Sequence, residues 1–199
     1  MSTVALDLEN MLPVTLTLPD LSEAEFLRIC AQFPDDMVEY SAGDQAVIIM
    51  PPTDSRTSGR NFRINGQLFI WHERTPHGLA TDATGGFRLP NGSRRAPDAA
   101  WFNRDRWEKA AASGDRYPVF APEFVIELRS PDDRIRPLRE KMEEYIQNGV
   151  QLGWLIDPKE RTVTIYRPGQ QPEVLNAPSE VRGEGPIDGF VLNLAGILD

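Results

Sequence analysis

The sequence predicts a mixed α/β or α+β fold in which helices flank one sheet. The prediction depends on a capped amphipathic helix near the N-terminus, on pairs of short apolar segments separated by turn residues, and on a strand–helix–strand order further along the chain. With 199 residues, the chain is long enough to bury a sizeable core. We expect an extended N-terminal lead-in over residues 1–20 and a single domain over residues 21–199.

The first part of the chain predicts a helix, a hairpin and a second helix. Ser22 followed by Glu25 is the pattern of a capping box, so a helix should begin here and end before Pro34. The apolar segments 37–40 and 46–50 lie on either side of Gly43-Asp44, which favours a hairpin. Apolar residues recur at helical spacing between Ser55 and Trp71, as expected of a helix that covers part of the sheet.

The remaining segments extend the same layout. Thr84-Gly85 separates two short apolar segments and predicts a second hairpin, and Gly149 has the position of a helix C-cap. The predicted elements are strands at 78–82, 86–89, 97–102 and 123–129, helices at 104–112 and 136–148, a central strand at 152–157, a half-exposed strand at 162–167, and a last apolar strand or turn near 190–194.

Composition excludes several classes of protein. One cysteine rules out an internal disulfide, and His72 and His77 cannot share a helix face across Pro76, so a histidine-based zinc site is not expected. No apolar run is long enough to span a membrane and no leader pattern opens the chain, so we expect a cytoplasmic protein. The net charge of −9 disfavours nonspecific binding to nucleic-acid phosphates, so a DNA-binding role would require a local basic stripe, an oligomeric groove or a partner. No histidine is placed to activate Ser130, which argues against a serine hydrolase.

Two carboxylates are the most informative residues of the chain. Asp98 and Glu127 each lie at the boundary of a short apolar strand, where an ionised acid is costly to bury without a partner. Lys141 follows on an amphipathic helix. Two acids with a nearby cation predict a site for a divalent metal ion of the kind that a metal-dependent phosphodiesterase needs.

Several segments together carry a family resemblance. In order, they are Ile49–Thr53, Gly59–Asn61, Asp82–Gly92, Arg95–Trp101, Phe124–Ser130, Glu140–Tyr145 and Gly149–Pro158. The chain resembles, over roughly residues 39–168, the Uma-type restriction-endonuclease-like family, a branch of the PD-(D/E)XK nuclease superfamily.

The resemblance implies a restriction-endonuclease-like mixed central sheet flanked by helices, with an acidic cluster at one end. Asp98 matches the aspartate of the PD element, and Glu127 matches the acid of the next strand. The superfamily usually has a lysine two positions after that acid, where this chain has Arg129, and the resemblance implies that Lys141 has taken over its role. Glu39 resembles an acid near the first hairpin that could complete the metal shell directly or through water.

The resemblance implies a Mg²⁺- or Mn²⁺-dependent endonuclease that acts on DNA. Asp98 and Glu127 would be its metal ligands, and both would be catalytic residues together with Lys141. Glu39 and Arg129 would have supporting roles. Dimerisation is expected of nucleases that cut both strands at symmetric sites, so we expect a homodimer. Two alternatives stay open: a noncatalytic DNA-binding or assembly module with the same fold, and an acidic protein-interaction domain.

Each of these residues also has a structural interpretation. Asp98 could accept a turn hydrogen bond, and Glu127 could pair with an arginine such as Arg129. Lys141 could be a solvated helix residue and Glu39 a surface strand residue. The tryptophans at 101, 107 and 154 are more typical of a core or its rim than of base-stacking platforms.

Overall fold

The computed structural model describes residues 12–75 and 77–199. Its α-helices are α1 (Glu23–Gln32), α2 (Ser55–His72), α3 (Arg104–Ala111) and α4 (Ile135–Gln147). Its strands are β1 (Val14–Thr17), β2 (Met37–Ser41), β3 (Ala46–Met50), β4 (Gly78–Asp82), β5 (Phe87–Arg88), β6 (Arg94–Arg95), β7 (Ala99–Asn103), β8 (Phe124–Leu128), β9 (Leu152–Asp157), β10 (Thr162–Tyr166), β11 (Glu173–Asn176), β12 (Glu180–Arg182) and β13 (Val191–Asn193).

The strands form two larger sheets and one small one. The first sheet has the order β1-β3-β2-β6-β5, and the second has the order β11-β10-β9-β8-β7-β4. In the second sheet, β8 and β9 run parallel and are connected through α4, whereas β7 pairs with β8 in the antiparallel sense. Strands β12 and β13 form a separate pair. The predicted mixed sheet flanked by helices is therefore present, with a second sheet beside it.

Local sequence signals explain where two of the helices begin or end. Ser22 caps α1: the Glu25 backbone N–H donates to its Oγ at 3.3 Å, and its own backbone N–H donates to Glu25 Oε2 at 3.0 Å. Helix α4 ends just before Gly149, whose φ of +103° lies in the left-handed region that favours glycine. The capping box and the glycine C-cap are confirmed.

The second sheet is buried on both faces, because alternate residues of its strands contribute to different hydrophobic clusters. On one face, Phe124, Ile126 and Leu128 pack with α2 and with the C-terminal segment. On the other face, Val125 packs with Met142 and other residues of α4. The same alternation places Glu127 on the α4 side of the sheet.

Two predictions about the strands are corrected. Strand β4 pairs with β7 and β5 pairs with β6, so segments 78–82 and 86–89 do not form a hairpin. The predicted turn is present, since Gly85 N–H donates to Asp82 O at 2.9 Å, but a turn reverses the chain without choosing the partner strand. Phe87 and Arg88 pair instead with Arg95 and Arg94 of the first sheet, while the Phe87 ring packs against Phe102 and Phe120.

Strand β10 is buried rather than half-exposed, since β9 and β11 lie on either side of it and apolar residues cover it. The C-terminal segment from Pro168 onward contributes more to the core than its glycine and proline content indicates. Val181, Ile187, Phe190, Leu192, Leu194, Ile197 and Leu198 are all buried in the cluster beneath α2.

The predicted lead-in lies partly outside the described residues, which begin at Leu12. Its later residues form β1, which pairs with β3 along the edge of the first sheet. Trp101 and Trp154 are core residues, as expected. Across the described residues, no helix combines the length and the apolar character that a membrane span requires.

Candidate functional site

The candidate site lies where the first sheet, the second sheet and α4 meet. The chain passes from β6 in the first sheet to β7 in the second through Ala96, Pro97 and Asp98 only. This short connection brings residues of both sheets to one rim. We use the term ionic cluster for Glu39, Asp98, Glu127 and Glu144 together with Arg95 and Lys141.

Asp98 and Glu127 lie opposite each other on adjacent strands. Ala99 pairs with Ile126 in the antiparallel register of β7 and β8, so continuing the register by one residue places Asp98 beside Glu127. Directly opposed residues point to the same face of a sheet. The Leu128 backbone N–H donates to Asp98 Oδ2 at 2.7 Å, which holds the aspartate against β8.

Helix α4 presents three polar side chains to this rim. Lys141, Glu144 and Tyr145 are spaced three and four residues apart and therefore share one helix face. The buried Tyr145 hydroxyl donates to Glu127 Oε1 at 2.9 Å. Met142, on the same helix, is fully buried and fixes the helix on the sheet.

A single ammonium group links both sheets. Lys141 Nζ lies 2.8 Å from Glu127 Oε1 in the second sheet and 2.9 Å from Glu39 Oε1 in the first. Both carboxylates are almost completely buried, with 4% and 2% of Glu127 and Glu39 exposed. Because buried charges need partners, this lysine compensates charge that would otherwise be strongly unfavourable.

Arg95 forms the second bridge of the cluster. Its Nη1 lies 3.2 Å from Glu39 Oε2, and its Nη2 lies 2.6 Å from Glu144 Oε2. Glu39 also accepts a hydrogen bond from the Ala96 backbone N–H at 2.8 Å. Both oxygens of Glu39 are thus engaged by donors from the protein.

The pKa values of the two carboxylates that share Lys141 are shifted in opposite directions. Burial raises the pKa of Glu127 to about 8. Lys141 opposes this rise, whereas the negative charges of Asp98 and Glu39 add to it. Burial also opposes ionisation of Glu39, but Lys141 and Arg95 outweigh it and hold the pKa of Glu39 below its ordinary value. Burial raises the pKa of Asp98 as well.

Lys141 stays protonated in this setting. Burial alone would lower the pKa of its ammonium, but Glu127 and Glu39 together raise it above the ordinary value. The lysine is therefore a fixed positive charge near neutral pH and is unsuited to act as a general base.

The cluster has an excess of negative charge. Four carboxylates face two cations, so full ionisation leaves two negative charges uncompensated within the cluster. Carboxylate oxygens are the ligands that Mg²⁺ and Mn²⁺ prefer, and one such ion would offset this excess. The donor chemistry of Asp98 and Glu127 therefore fits a divalent cation.

In the part of the chain that the structure describes, no three histidine, cysteine, aspartate or glutamate side chains form a group that could hold a metal ion. A cation bound by Asp98 and Glu127 would thus take its remaining ligands from water and other oxygens. Mg²⁺ commonly binds proteins in this way, through one or two carboxylates and several waters.

The structure brings four of the five sequence-predicted residues together: Glu39, Asp98, Glu127 and Lys141. Arg129 is directed elsewhere, since its Nη1 lies 2.8 Å from Asp157 Oδ2 and its Nε donates to the Asp133 carbonyl at 3.2 Å. At the position where this superfamily usually has a lysine, this chain has Arg129, whose ion pair with Asp157 joins neighbouring strands.

Sequence reasoning did not identify four polar residues of the site as participants. They are Asn61, Arg95, Glu144 and Tyr145. All four lie inside segments that carry the family resemblance, but a single sequence does not reveal which partners they have. Asn61 donates to Asp98 Oδ1 at 2.7 Å from a helix that is distant in sequence.

A mixed sheet with opposed carboxylates at its rim and a lysine beside them is the arrangement of the restriction-endonuclease-like class. The chain belongs to the Uma2 family, described as "Putative restriction endonuclease", whose profile matches residues 23–195. Comparison with curated proteins finds no match.

One solved structure supports the fold. A crystal structure from Anabaena variabilis, described as a putative nuclease belonging to DUF820, aligns with a TM-score of 0.67 at 23% sequence identity. The alignment covers 81% of this chain and 89% of that one.

The raised pKa of Glu127 predicts a pH-dependent stability. Its folded pKa of about 8 exceeds its ordinary value of 4.5, so the folded state binds more protons between these values. The contribution of this group to the free energy of unfolding should be fully present below about pH 4.5 and should be lost as the pH rises through about 8, by an amount on the order of several kcal/mol. Thermal unfolding in EDTA at pH 5.5 and 8.5 measures the effect. The loss should be much smaller in Glu127→Gln, and equal losses in both proteins would contradict the assignment.

Removing Lys141 should destabilise the protein strongly. Lys141→Met leaves Glu39 and Glu127 buried without their shared cation, which typically costs about 3–5 kcal/mol. Urea unfolding at pH 8 measures the loss, and lowering the pH should recover part of it as Glu127 protonates. Lys159→Met, at an exposed lysine, is the matched control and should change stability by less than about 0.5 kcal/mol. Similar values for the two variants would show that Lys141 is an ordinary surface lysine.

Proposed function

We propose that this protein is a metal-dependent endonuclease that hydrolyses phosphodiester bonds in DNA. The observation that carries the proposal is the opposed pair Asp98 and Glu127 in a buried cluster that holds two more carboxylates than cations. Membership of the Uma2 family supports the same reaction class.

Asp98 and Glu127 are the residues that we assign to one Mg²⁺ or Mn²⁺ ion. When bound, such an ion lowers the pKa of an attached water and neutralises negative charge on the phosphate. The raised pKa values of both acids imply that cation binding competes with protons, so cation affinity should increase with pH.

Lys141 is the group that we assign to the reacting phosphate. Because its ammonium stays protonated, it would stabilise the charge that develops on the phosphoryl oxygens or orient the attacking water. Glu39 would then hold Lys141 in position, since its two oxygens already accept from Lys141, Ala96 and Arg95. We assign no phosphate contact to Arg129, whose guanidinium is bound to Asp157.

A basic helix beside the site supports DNA as the substrate. The net charge of −9 repels phosphates in general, but α2 carries Arg56, Arg60 and Arg63 and has no acidic residue between Ser55 and His72. The same helix contacts Asp98 through Asn61. A phosphate backbone would therefore meet local positive charge next to the carboxylates. A nuclease of this kind would act in the cytoplasm.

A cleavage assay tests the proposal directly. Purified protein is incubated with supercoiled, linear and single-stranded DNA and with Mg²⁺ or Mn²⁺. Wild type should cut at least one substrate, and Glu127→Ala should be slower by about 10²–10³-fold, because a group that stabilises the transition state is lost. Glu160→Ala, at an exposed glutamate, should cut like wild type.

Metal binding is measured separately by thermal shift. Mn²⁺ should raise the Tm of wild type through binding to the folded state, more at pH 8 than at pH 6, and the shift should vanish in Asp98→Ala. Asp115→Ala, at an exposed aspartate, should keep it. DNA binding without cleavage under any condition would identify a noncatalytic DNA-binding or assembly module. Binding of neither metal nor DNA would leave a protein-interaction domain.

We also propose that the protein forms a homodimer through the outer face of α2. Phe62, Phe69 and Ile70 are 80%, 58% and 61% exposed on this helix. Gly59 and Gly66 lie on the same outer face, and no atom would lie within 4 Å of a Cβ added at either position. Large apolar side chains beside open glycines are typical of surfaces on which a second helix packs closely.

The dimer is tested by light scattering coupled to size-exclusion chromatography. Wild type should have the mass of two chains, and Phe62→Ser/Phe69→Ser should have the mass of one, because the apolar contact is removed. Val174→Ser alters an exposed apolar residue, 51% exposed, away from α2, and should leave the dimer intact. A monomeric wild type at micromolar concentration would refute the proposal.

A further inference from the structure

Asp98 is held from two directions before any ligand binds. The Asn61 side-chain amide donates to Asp98 Oδ1 at 2.7 Å, and the Leu128 backbone N–H donates to Oδ2 at 2.7 Å. The Asn65 amide donates to the Asp98 backbone carbonyl at 3.0 Å. Each carboxylate oxygen thus has one hydrogen bond from the protein and keeps capacity for another partner.

The two asparagines form a rigid pair. Residues 61 and 65 are four apart on α2 and share one side of the helix. Ile64 and Leu68, on the adjoining side, are fully buried and anchor α2 on the second sheet. Asparagine is a weak helix former, and neither side chain serves as a helix cap here. Their positions are therefore better explained by the contact with Asp98 than by helix stability.

The other end of the Asn61 amide is unsatisfied. Its Oδ1 is buried and has no hydrogen-bond partner among residues 12–75 and 77–199. The amide cannot be reversed to relieve this, because a reversed group would place its oxygen against the carboxylate oxygen of Asp98. Gln67 on the same helix differs, since its amide donates to Asn193 O at 3.0 Å and accepts from Asn193 N at 2.8 Å.

We propose that Asn61 is a positioning residue of the cation site. Its amide nitrogen sets the orientation of the Asp98 carboxylate, and its amide oxygen accepts a hydrogen bond from a water bound to the cation. Mg²⁺ and similar ions keep several waters, whose O–H groups are the donors that Oδ1 lacks. This inference rests on the proposed function, because it requires that Asp98 binds a divalent cation.

The test is the affinity for Mn²⁺ alone, measured by isothermal titration calorimetry and by the electron paramagnetic resonance signal of free Mn²⁺. The proteins are wild type, Asn61→Leu, Asn61→Ala and the matched control Gln67→Leu, each verified as folded by circular dichroism. Loss of a partner that orients a metal ligand typically weakens binding by about 10–100-fold. Both Asn61 variants should show a weakening of this size, whereas Gln67→Leu should lose thermal stability but bind Mn²⁺ within about twofold of wild type.

The outcomes separate the two proposals. If the Asn61 variants bind Mn²⁺ as tightly as wild type, the role of Asn61 is refuted and the metal-dependent function stands. If Gln67→Leu is weakened as much as the Asn61 variants, the effect belongs to the stability of α2, and the role of Asn61 is refuted again. If wild type binds no Mn²⁺ at all, both proposals fail.

Discussion

The structure depends on one ammonium group shared by two buried carboxylates. Lys141 lies within 3 Å of Glu39 in the first sheet and of Glu127 in the second, and helix α4 carries it. Three elements that are distant in sequence thus meet at one ammonium group, and Arg95 adds a second bridge between the first sheet and α4. Burying such groups is favourable only when each has a partner, so the position of α4 and the junction of the two sheets are fixed by the same contact. The hydrophobic clusters on both faces of the second sheet then hold this geometry in place.

The position of the lysine changes how the site is built. In the usual pattern of this superfamily, the acid and the lysine are two residues apart on one strand. Here Arg129 occupies that strand position and pairs with Asp157, which ties β8 to β9 at the end where the site lies. The positive charge comes instead from α4, in the connection between the same two strands. Asp98 and Glu127 therefore belong to the sheet, whereas the ammonium belongs to a helix that packs on it.

Sequence reasoning identified most of the fold because local signals determine most of its elements. Ser22 with Glu25 specifies the start of α1, and Gly149 specifies the end of α4, and both signals are local in sequence. The partners of short strands are not specified locally. The turn at Thr84-Gly85 forms, yet the strand that follows it pairs with β6 of the first sheet and not with β4. Residues such as Phe190 and Leu198 enter the core through contacts that no periodic pattern shows.

The same distinction applies to the site. Asp98 and Glu127 stand out in the sequence because acids at the ends of apolar strands need an explanation. Asn61 and Arg95 do not stand out, since asparagine and arginine are ordinary surface residues until the tertiary structure brings a carboxylate within hydrogen-bond distance. Glu39 gained importance from the family resemblance, and only the structure shows that it contacts Lys141.

The short connection between the two sheets has a mechanical consequence. Arg95 and Asp98 are three residues apart, a distance of at most about 11 Å in a fully extended chain, and each is bound at its own end by charged or amide groups. The short connection therefore limits how far the two residues can move apart. A single inserted residue in this connection would change which way the following side chains face, and a small rotation of one sheet against the other would move a carboxylate directly. Geometric errors of about 1 Å can slow an enzyme 10²-fold, so we expect evolution to permit substitutions around this connection far more readily than changes in its length.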